Sequence, residues 1–286
     1  MLTGFMKKRM KKEVLLYIAA FCLAMLLCQA AWAQEEALQK EERREENLAK
    51  KLANPIASLI SVPIQANFDD NIGANDDGST WKINVQPVIP VSISKNWNMI
   101  SRTILPVITQ DNIPVNGAGA SGIGDVLQSF FFSPKKPTSR GIIWGVGPAL
   151  LLNTASKDAL GSKKWGAGPT GVALKQKGQW TYGMLANHIE SFSGDNNRPG
   201  VSATFMQPFL TYITHTKTTF SLNTESTYDW KTENWAVPIN FNVAQMLKVG
   251  SQIIQVGGGL RYWADSPDFG PEGLGARLQL TFLFPK

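Results

Sequence analysis

Cysteine is almost absent from this chain: its two copies, Cys22 and Cys28, both stand near the start. The rest therefore has no disulfide framework and no thiolate cluster for a metal. Histidine is nearly as scarce. His188 and His215 are the only two, and neither has a ligand pattern around it, so the reading predicts no metal and no cofactor. From Ile56 onward a 3.6-residue apolar periodicity is also missing, which argues against a helical architecture.

The first 33 residues read as a secretory signal peptide. Lys7, Lys8, Arg9, Lys11 and Lys12 precede an apolar run from Val14 to Leu27, and the segment closes on Ala31-Trp32-Ala33. That run is shorter than the ~20 residues a spanning helix needs. Lipidation at Cys28 is disfavoured because Leu26-Leu27 offers no small residue before it. Removing 1–33 takes away five of the 28 basic residues and one of the 22 acidic ones, leaving 23 and 21. The basic balance belongs largely to the signal, and nucleic-acid binding loses its main support.

Residues 34–55 form a charged arm, dense in Glu, Lys and Arg, that reads as a solvated periplasmic helix or a disordered segment, or more sharply as a barrel plug or partner site. Asn54-Pro55 ends any helix there. Beyond it, period-two patterning takes over. Trp81, Ile83, Val85, Pro87, Ile89, Val91 and Ile93 share one face, while Lys82, Asn84, Gln86 and Ser92 lie on the other. Turn-forming clusters then divide the chain into twelve strands, near 57–68, 80–93, 97–110, 122–133, 142–154, 166–176, 180–192, 201–214, 218–230, 235–246, 251–264 and 274–284. Those near 97–110, 122–133, 166–176 and 180–192 alternate poorly, which leaves their facing open.

An even strand number, with strands long enough to cross a bilayer at a tilt, predicts an all-β fold: a closed antiparallel transmembrane barrel over 56–286. Two features favour it over a soluble sandwich. The connections 69–79, 111–121, 155–165, 193–200 and 265–273 are mostly long and alternate with short ones at 94–96, 177–179, 215–217 and 247–250; 134–141 and 231–234 break the rule. All eight tryptophans after Trp32 fall near strand ends, as interfacial girdles require. The expected location is the outer membrane, with lipid as one partner. The aromatic last strand resembles the signals read by the barrel-assembly machinery, although Pro285-Lys286 follows the final Phe284.

Chemistry is sparse. Gly117, Gly119 and Gly122 fit a dinucleotide-binding spacing, but they open a strand-like run and read as an external loop. His188 and Ser191 are candidates for a lipid hydrolase, yet residues three apart on a strand point to opposite faces; His188 and Glu190 share a face without a nucleophile. The expectation is therefore no enzyme. Charges within strands say more, because Arg or Lys facing lipid at mid-bilayer costs about 2–4 kcal/mol. On that ground Lys82, Arg102, Glu225, Asp229, Arg261 and Arg277 are expected to line the lumen, either tuning a passage or filling it as a salt-bridged network. Asp125 and Glu190 are less clearly placed.

Several stretches carry a resemblance to a known family: Asn54-Pro55 through Leu59-Ile60-Ser61-Val62-Pro63, Gln86-Pro87-Val88-Ile89-Pro90, Trp97-Asn98, Ser101-Arg102-Thr103-Ile104-Leu105-Pro106, Asp125 to Pro134, Trp165-Gly166-Ala167-Gly168-Pro169-Thr170, Asn223 to Trp230, and Leu283-Phe284-Pro285-Lys286. Over nearly all of 54–286 the chain resembles a bacterial family of outer-membrane proteins, commonly labelled transporters, related to barrels named for the MetA pathway of phenol degradation. The resemblance implies an outer-membrane barrel that passes small-molecule cargo, hydrophobic or aromatic by the family's name, with Pro285-Lys286 a normal ending. A non-conducting structural or interaction barrel is the alternative.

Overall fold

The computed structural model describes residues 32, 34–36, 39–41, 43–114 and 117–285. The expected signal peptide, Trp32 apart, lies outside them. The chain divides into two compact units, Met1–Asn47 and Leu48–Lys286. The described residues of the first are helical, with Arg43 Nε donating to the Gln39 carbonyl at 3.3 Å.

The second unit opens with the end of a helix, running to Leu52. Ala53 N still reaches the Ala49 carbonyl at 3.1 Å, and Asn54 then turns the chain by accepting from Ile56 N at 3.0 Å. Twelve strands follow among the described residues. They are β1 (Ile60–Ile72), β2 (78–92), β3 (Trp97–Asp111), β4 (119–134), β5 (Ile142–Leu152), β6 (Lys164–Lys177), β7 (Trp180–Gly194), β8 (Ser202–Ile213), β9 (218–229), β10 (Asn234–Val249), β11 (Gln252–Asp265) and β12 (Gly273–Phe284). Local irregularities interrupt β2 after Val85, β4 after Ile123 and β9 after Thr224. Each strand pairs antiparallel with its sequence neighbours, and β1 pairs with β12 from Ile60 opposite Phe284 to Phe68 opposite Ala276. The sheet is therefore a closed barrel without an edge.

The inside and outside of this barrel are reversed relative to a water-soluble protein. Leu260 is 60% exposed on the outer face of β11, while Arg277 is 2% exposed on the inner face of β12. Asn67, Asn240 and Thr281 are likewise buried, and Leu222, Phe241 and Leu278 are exposed. Period-two alternation puts one set toward lipid and the other toward the lumen. Aromatic pairs ring the outer face near both ends. Trp97 meets Trp144 edge-on at 5.9 Å and Trp180 meets Tyr212 at 4.7 Å at the short-turn end; Phe68 meets Trp81 at 5.0 Å, and Tyr228 meets Trp230 and Trp235, each at 4.9 Å, at the other. The short turns, at 178–179 and 250–251 among others, share an end with Ile60 and Phe284, the end that faces the periplasm in barrels of this class.

Three strands run further outward than their sequences suggest. β1 continues to Ile72, and β3 and β4 extend their ladder as far as Asp111 opposite Gly119. The Gly119–Gly122 segment is thus strand and not external loop. Backbone pairing with a neighbour outweighs the turn preference of Gly and Asp once the neighbouring strand is in place. Thr109 and Ser121 reinforce the extension with a 3.0 Å side-chain hydrogen bond.

Near the short turns the lumen is filled by the chain's own N-terminal segment. Leu48, Ala49, Ala57 and Leu59 pack with Ile213, Met246, Ile253 and Leu283, and Ile56 packs with Val88, Ile100, Phe131, Val172, Leu174 and Leu185. Gln176 Nε2 donates to the Lys50 carbonyl at 2.7 Å and Asn98 Nδ2 to Ser58 Oγ at 2.8 Å, so the segment is also tied to the wall by polar contacts.

Two outcomes follow. Purified protein in detergent should run at a different gel position unboiled than boiled, and recovery as a soluble periplasmic protein would contradict the barrel. Phe131→Ala, which removes a fully buried ring from the Ile56 cluster, should cost about 3–5 kcal/mol in urea unfolding from lipid vesicles.

Candidate functional site: the polar lumen

The inner faces of the strands stack in layers above the apolar plug. On β12 the order from the plug is Leu283, Thr281, Gln279, Arg277; on β1 it is Ser61, Pro63, Gln65, Asn67, Asp69, continuing from Leu59 of the plug. A cavity of about 210 Å³ lies between the N-terminal segment and a charged layer. Its wall includes Gln65, Gln86, Gln207, Asn223, Asn242, Gln255 and Gln279, together with Arg102, Glu225, Arg277 and Lys51. The apolar part of its lining includes Leu52, Leu59, Val88 and Phe209.

Glu225 and Arg277 form the centre of the charged layer. Arg277 donates from Nη1 to Glu225 Oε1 at 3.1 Å, from Nη2 to Oε2 at 2.8 Å, and from Nε to Asn67 Oδ1 at 2.7 Å. This is the forked geometry that a guanidinium and a carboxylate share best. The Gln65 amide is satisfied with its oxygen toward Arg277, accepting from Nη2 at 3.0 Å and Nε at 3.2 Å. The break in β9 falls at Glu225, where the strand is irregular. Arg261 Nη1 stands 3.5 Å from Glu225 Oε2, and its Nε is 3.0 Å from Asp69 Oδ1 but off the hydrogen-bonding direction. Its guanidinium also lies 4.7 Å from the centre of the Trp263 ring, whose Nε1 donates to Asp69 at 2.8 Å. Trp263 therefore serves the lumen, unlike the tryptophans of the girdles.

Of the six residues singled out from the sequence, Arg261 and Arg277 both reach Glu225. Lys82 sits beside them on β2, feeling the charges of Arg261, Asp69 and Glu225. Arg102 lines the cavity, donating from Nη2 to Gln86 Oε1 at 2.9 Å. Asp229 is apart: its Oδ1 accepts from Lys231 N at 2.7 Å and Thr232 N at 3.2 Å, capping the turn after β9. Sequence reasoning missed Asp69 and the amide belt. Asp69 fell in a presumed loop, although its parity with Gln65 and Asn67 marks it as inward.

At the outer mouth, Asp125 organises the 153–163 connection. Its carboxylate accepts from Thr154 N, Ala155 N, Ser162 N and Ser162 Oγ at 2.6–3.2 Å. Arg198 Nη2 adds bonds to the Gly161 and Asp158 carbonyls at 2.7 and 3.1 Å. In the 195–201 loop the Asn197 backbone N–H, aided by Lys163, Lys164 and Arg198, holds the Asp195 carboxyl below its ordinary range against an opposing desolvation effect.

On the outer wall, His188 Nδ1 pairs with Thr204 Oγ1 at 2.9 Å, Trp230 Nε1 donates to the same hydroxyl at 2.8 Å, and His188 Nε2 is 3.8 Å from Glu190. Ser191 instead accepts from Val201 N at 2.9 Å. Among the described residues no group of three or more His, Cys, Asp or Glu side chains is arranged to hold a metal.

Together these features define a class: an outer-membrane-type β-barrel whose lumen is plugged at one end and polar above the plug. No family model matches the chain, nor does any curated protein. Among solved structures, an outer-membrane channel from Pseudomonas putida F1 is similar at 13% identity and a TM-score of 0.62, covering 79% of this chain and 94% of that one. The outer-membrane phospholipase A of Escherichia coli aligns at 8% identity and a TM-score of 0.44, covering 79% and 96%. At such identities the likeness concerns the fold alone.

Glu225→Gln should destabilise the barrel by about 3 kcal/mol in urea unfolding, because it leaves Arg277 buried without its counter-charge. Arg277→Lys, which keeps the charge but not the fork, should cost less. An unchanged midpoint for Glu225→Gln would contradict the central role given to the pair.

Proposed function

We propose that this chain is an outer-membrane channel or uptake protein for small molecules, with neither catalytic activity nor a bound cofactor. The observation that carries the reading is the cavity itself: an amide- and cation-lined space enclosed by a barrel wall whose outer face is apolar. In a twelve-stranded barrel, between the side-chain-filled eight-stranded case and open pores of sixteen or more strands, such a space is where cargo would pass. Membership of the transporter family related to the phenol-degradation barrels belongs to this proposal. So does the hydrophobic or aromatic cargo that the resemblance implies, and so does insertion by the barrel-assembly machinery. The non-catalytic reading is supported by the hydrogen bonding of His188 to Thr204 and by Ser191 lying on the opposite face.

A second reading, a structural or interaction barrel that conducts nothing, draws support from the plug at 48–59. Conduction separates the two. On the barrel wall Lys82, Arg102, Arg261 and Arg277 outnumber Asp69 and Glu225 by two positive charges, and Lys51 of the N-terminal segment adds a third, so planar-bilayer recordings in a salt gradient should show a preference for anions. Arg102→Ala should weaken that preference and Glu225→Ala should strengthen it. If both variants keep the wild-type ion preference, these side chains do not set selectivity; if purified protein gives neither current nor liposome swelling, the structural barrel stands instead.

A further inference from the structure

We propose that the cavity beside Arg102 is a binding site for a small organic carboxylate, about one ring in size. The proposal deepens the channel reading and rests on it in taking that carboxylate as cargo.

The charge of the cavity points to an anion. Of its ionised lining residues, Glu225 is engaged by the forked contacts of Arg277, which leaves Arg102 and Lys51 in excess. Among the described residues Arg102 lies within 4 Å of no carboxylate, although it feels the charge of Glu225; Gln86 Oε1 accepts from its Nη2 at 2.9 Å, and the residue lines the cavity. A guanidinium has five donors in a planar fork that matches a carboxylate on two of them.

The rest of the lining selects an organic acid over a bare inorganic anion. Leu59, Val88 and Phe209 supply apolar surface in the same cavity as Arg102. Phosphate or chloride would leave this surface facing water, whereas a carbon body would cover it. Size agrees: a cavity of ~150 Å³ is enough to hold benzene, so the 210 Å³ here accommodates one ring with a carboxylate.

Benzoate, benzamide and inorganic phosphate are the probes, titrated calorimetrically into folded protein in detergent. Benzoate should bind at least about tenfold more tightly than benzamide, which has the same shape without the charge, because a charge-assisted hydrogen-bonded pair is worth roughly that factor or more. Arg102→Gln, with folding checked by the heat-dependent gel shift, should abolish the difference; the comparison of ligands on the unaltered protein stands even if that variant does not fold. Equal affinities for benzoate and benzamide, no binding of benzoate, or phosphate binding as tightly as benzoate would each overturn the proposal. The outcome is separable from conduction. A barrel that conducts but treats benzoate and benzamide alike loses the site and keeps the channel; one that binds benzoate and passes no current loses the channel and keeps the site.

Discussion

Nine consecutive residue pairs between β1 and β12, from Ile60–Phe284 to Phe68–Ala276, join the ends of the sheet, and the remaining organisation depends on that seam. In hydrocarbon an unpaired backbone N–H or C=O costs several kcal/mol, and an open edge would present a whole row of them. Once the edge is gone, every strand has one lipid face and one lumen face, and the fate of each side chain follows from its parity. Arg277 is inward because Ala276 and Leu278 are outward; it cannot snorkel to water from the middle of a strand. The seam also aligns Asn67 with Arg277 across the two strands, so the same register that closes the wall delivers the acceptor for the Arg277 Nε.

Twelve strands enclose more space than their inward side chains can fill, and this protein fills it in two chemically distinct ways. At the short-turn end the chain supplies its own apolar segment, with Ile56 seated between Ile100, Phe131 and Leu185. Midway, the Glu225–Arg277 fork and the Asp69–Arg261 pair cross the lumen with charged side chains that satisfy one another. The cavity is what remains between these two fillings. Its lining is amphipathic because its floor belongs to the plug and its ceiling to the charged layer.

The strand count and most strand limits could be read from the sequence because the lipid face imposes an unbroken apolar period of two. The outer faces of β1, β2, β10 and β12 carry it cleanly. β3, β4, β6 and β7 did not reveal their facing, and the plug explains why. Their inward residues Ile100, Phe131, Val172, Leu174 and Leu185 contact Ile56 or its neighbours and are apolar too, so both faces of these strands look alike in sequence. The outward ends of β1 and β4 were read as loop for the converse reason: Asp69 and Gly119 have turn-like chemistry, but a lumen-facing strand accepts polar residues freely. The inward Arg261, Arg277 and Glu225 were legible one at a time from the cost of placing charge in lipid. Their meeting was not, since Glu225 and Arg277 are separated by three strands' worth of chain.

The electrostatics of the lumen follow from which cations find a partner. Glu225 is shared by two arginines, with Arg277 taking the fork at 2.8 and 3.1 Å and Arg261 the more distant contact at 3.5 Å; Asp69 compensates Arg261 from the other side. Two carboxylates are thus committed to two arginines, and Lys82 and Arg102 on the wall, with Lys51 of the N-terminal segment, supply the surplus. Lys82 pairs with Asn67, which pairs in turn with Arg277, so it belongs with the committed layer, whereas Arg102 lines the cavity. Low-dielectric walls concentrate the field of such unmatched charges along the axis.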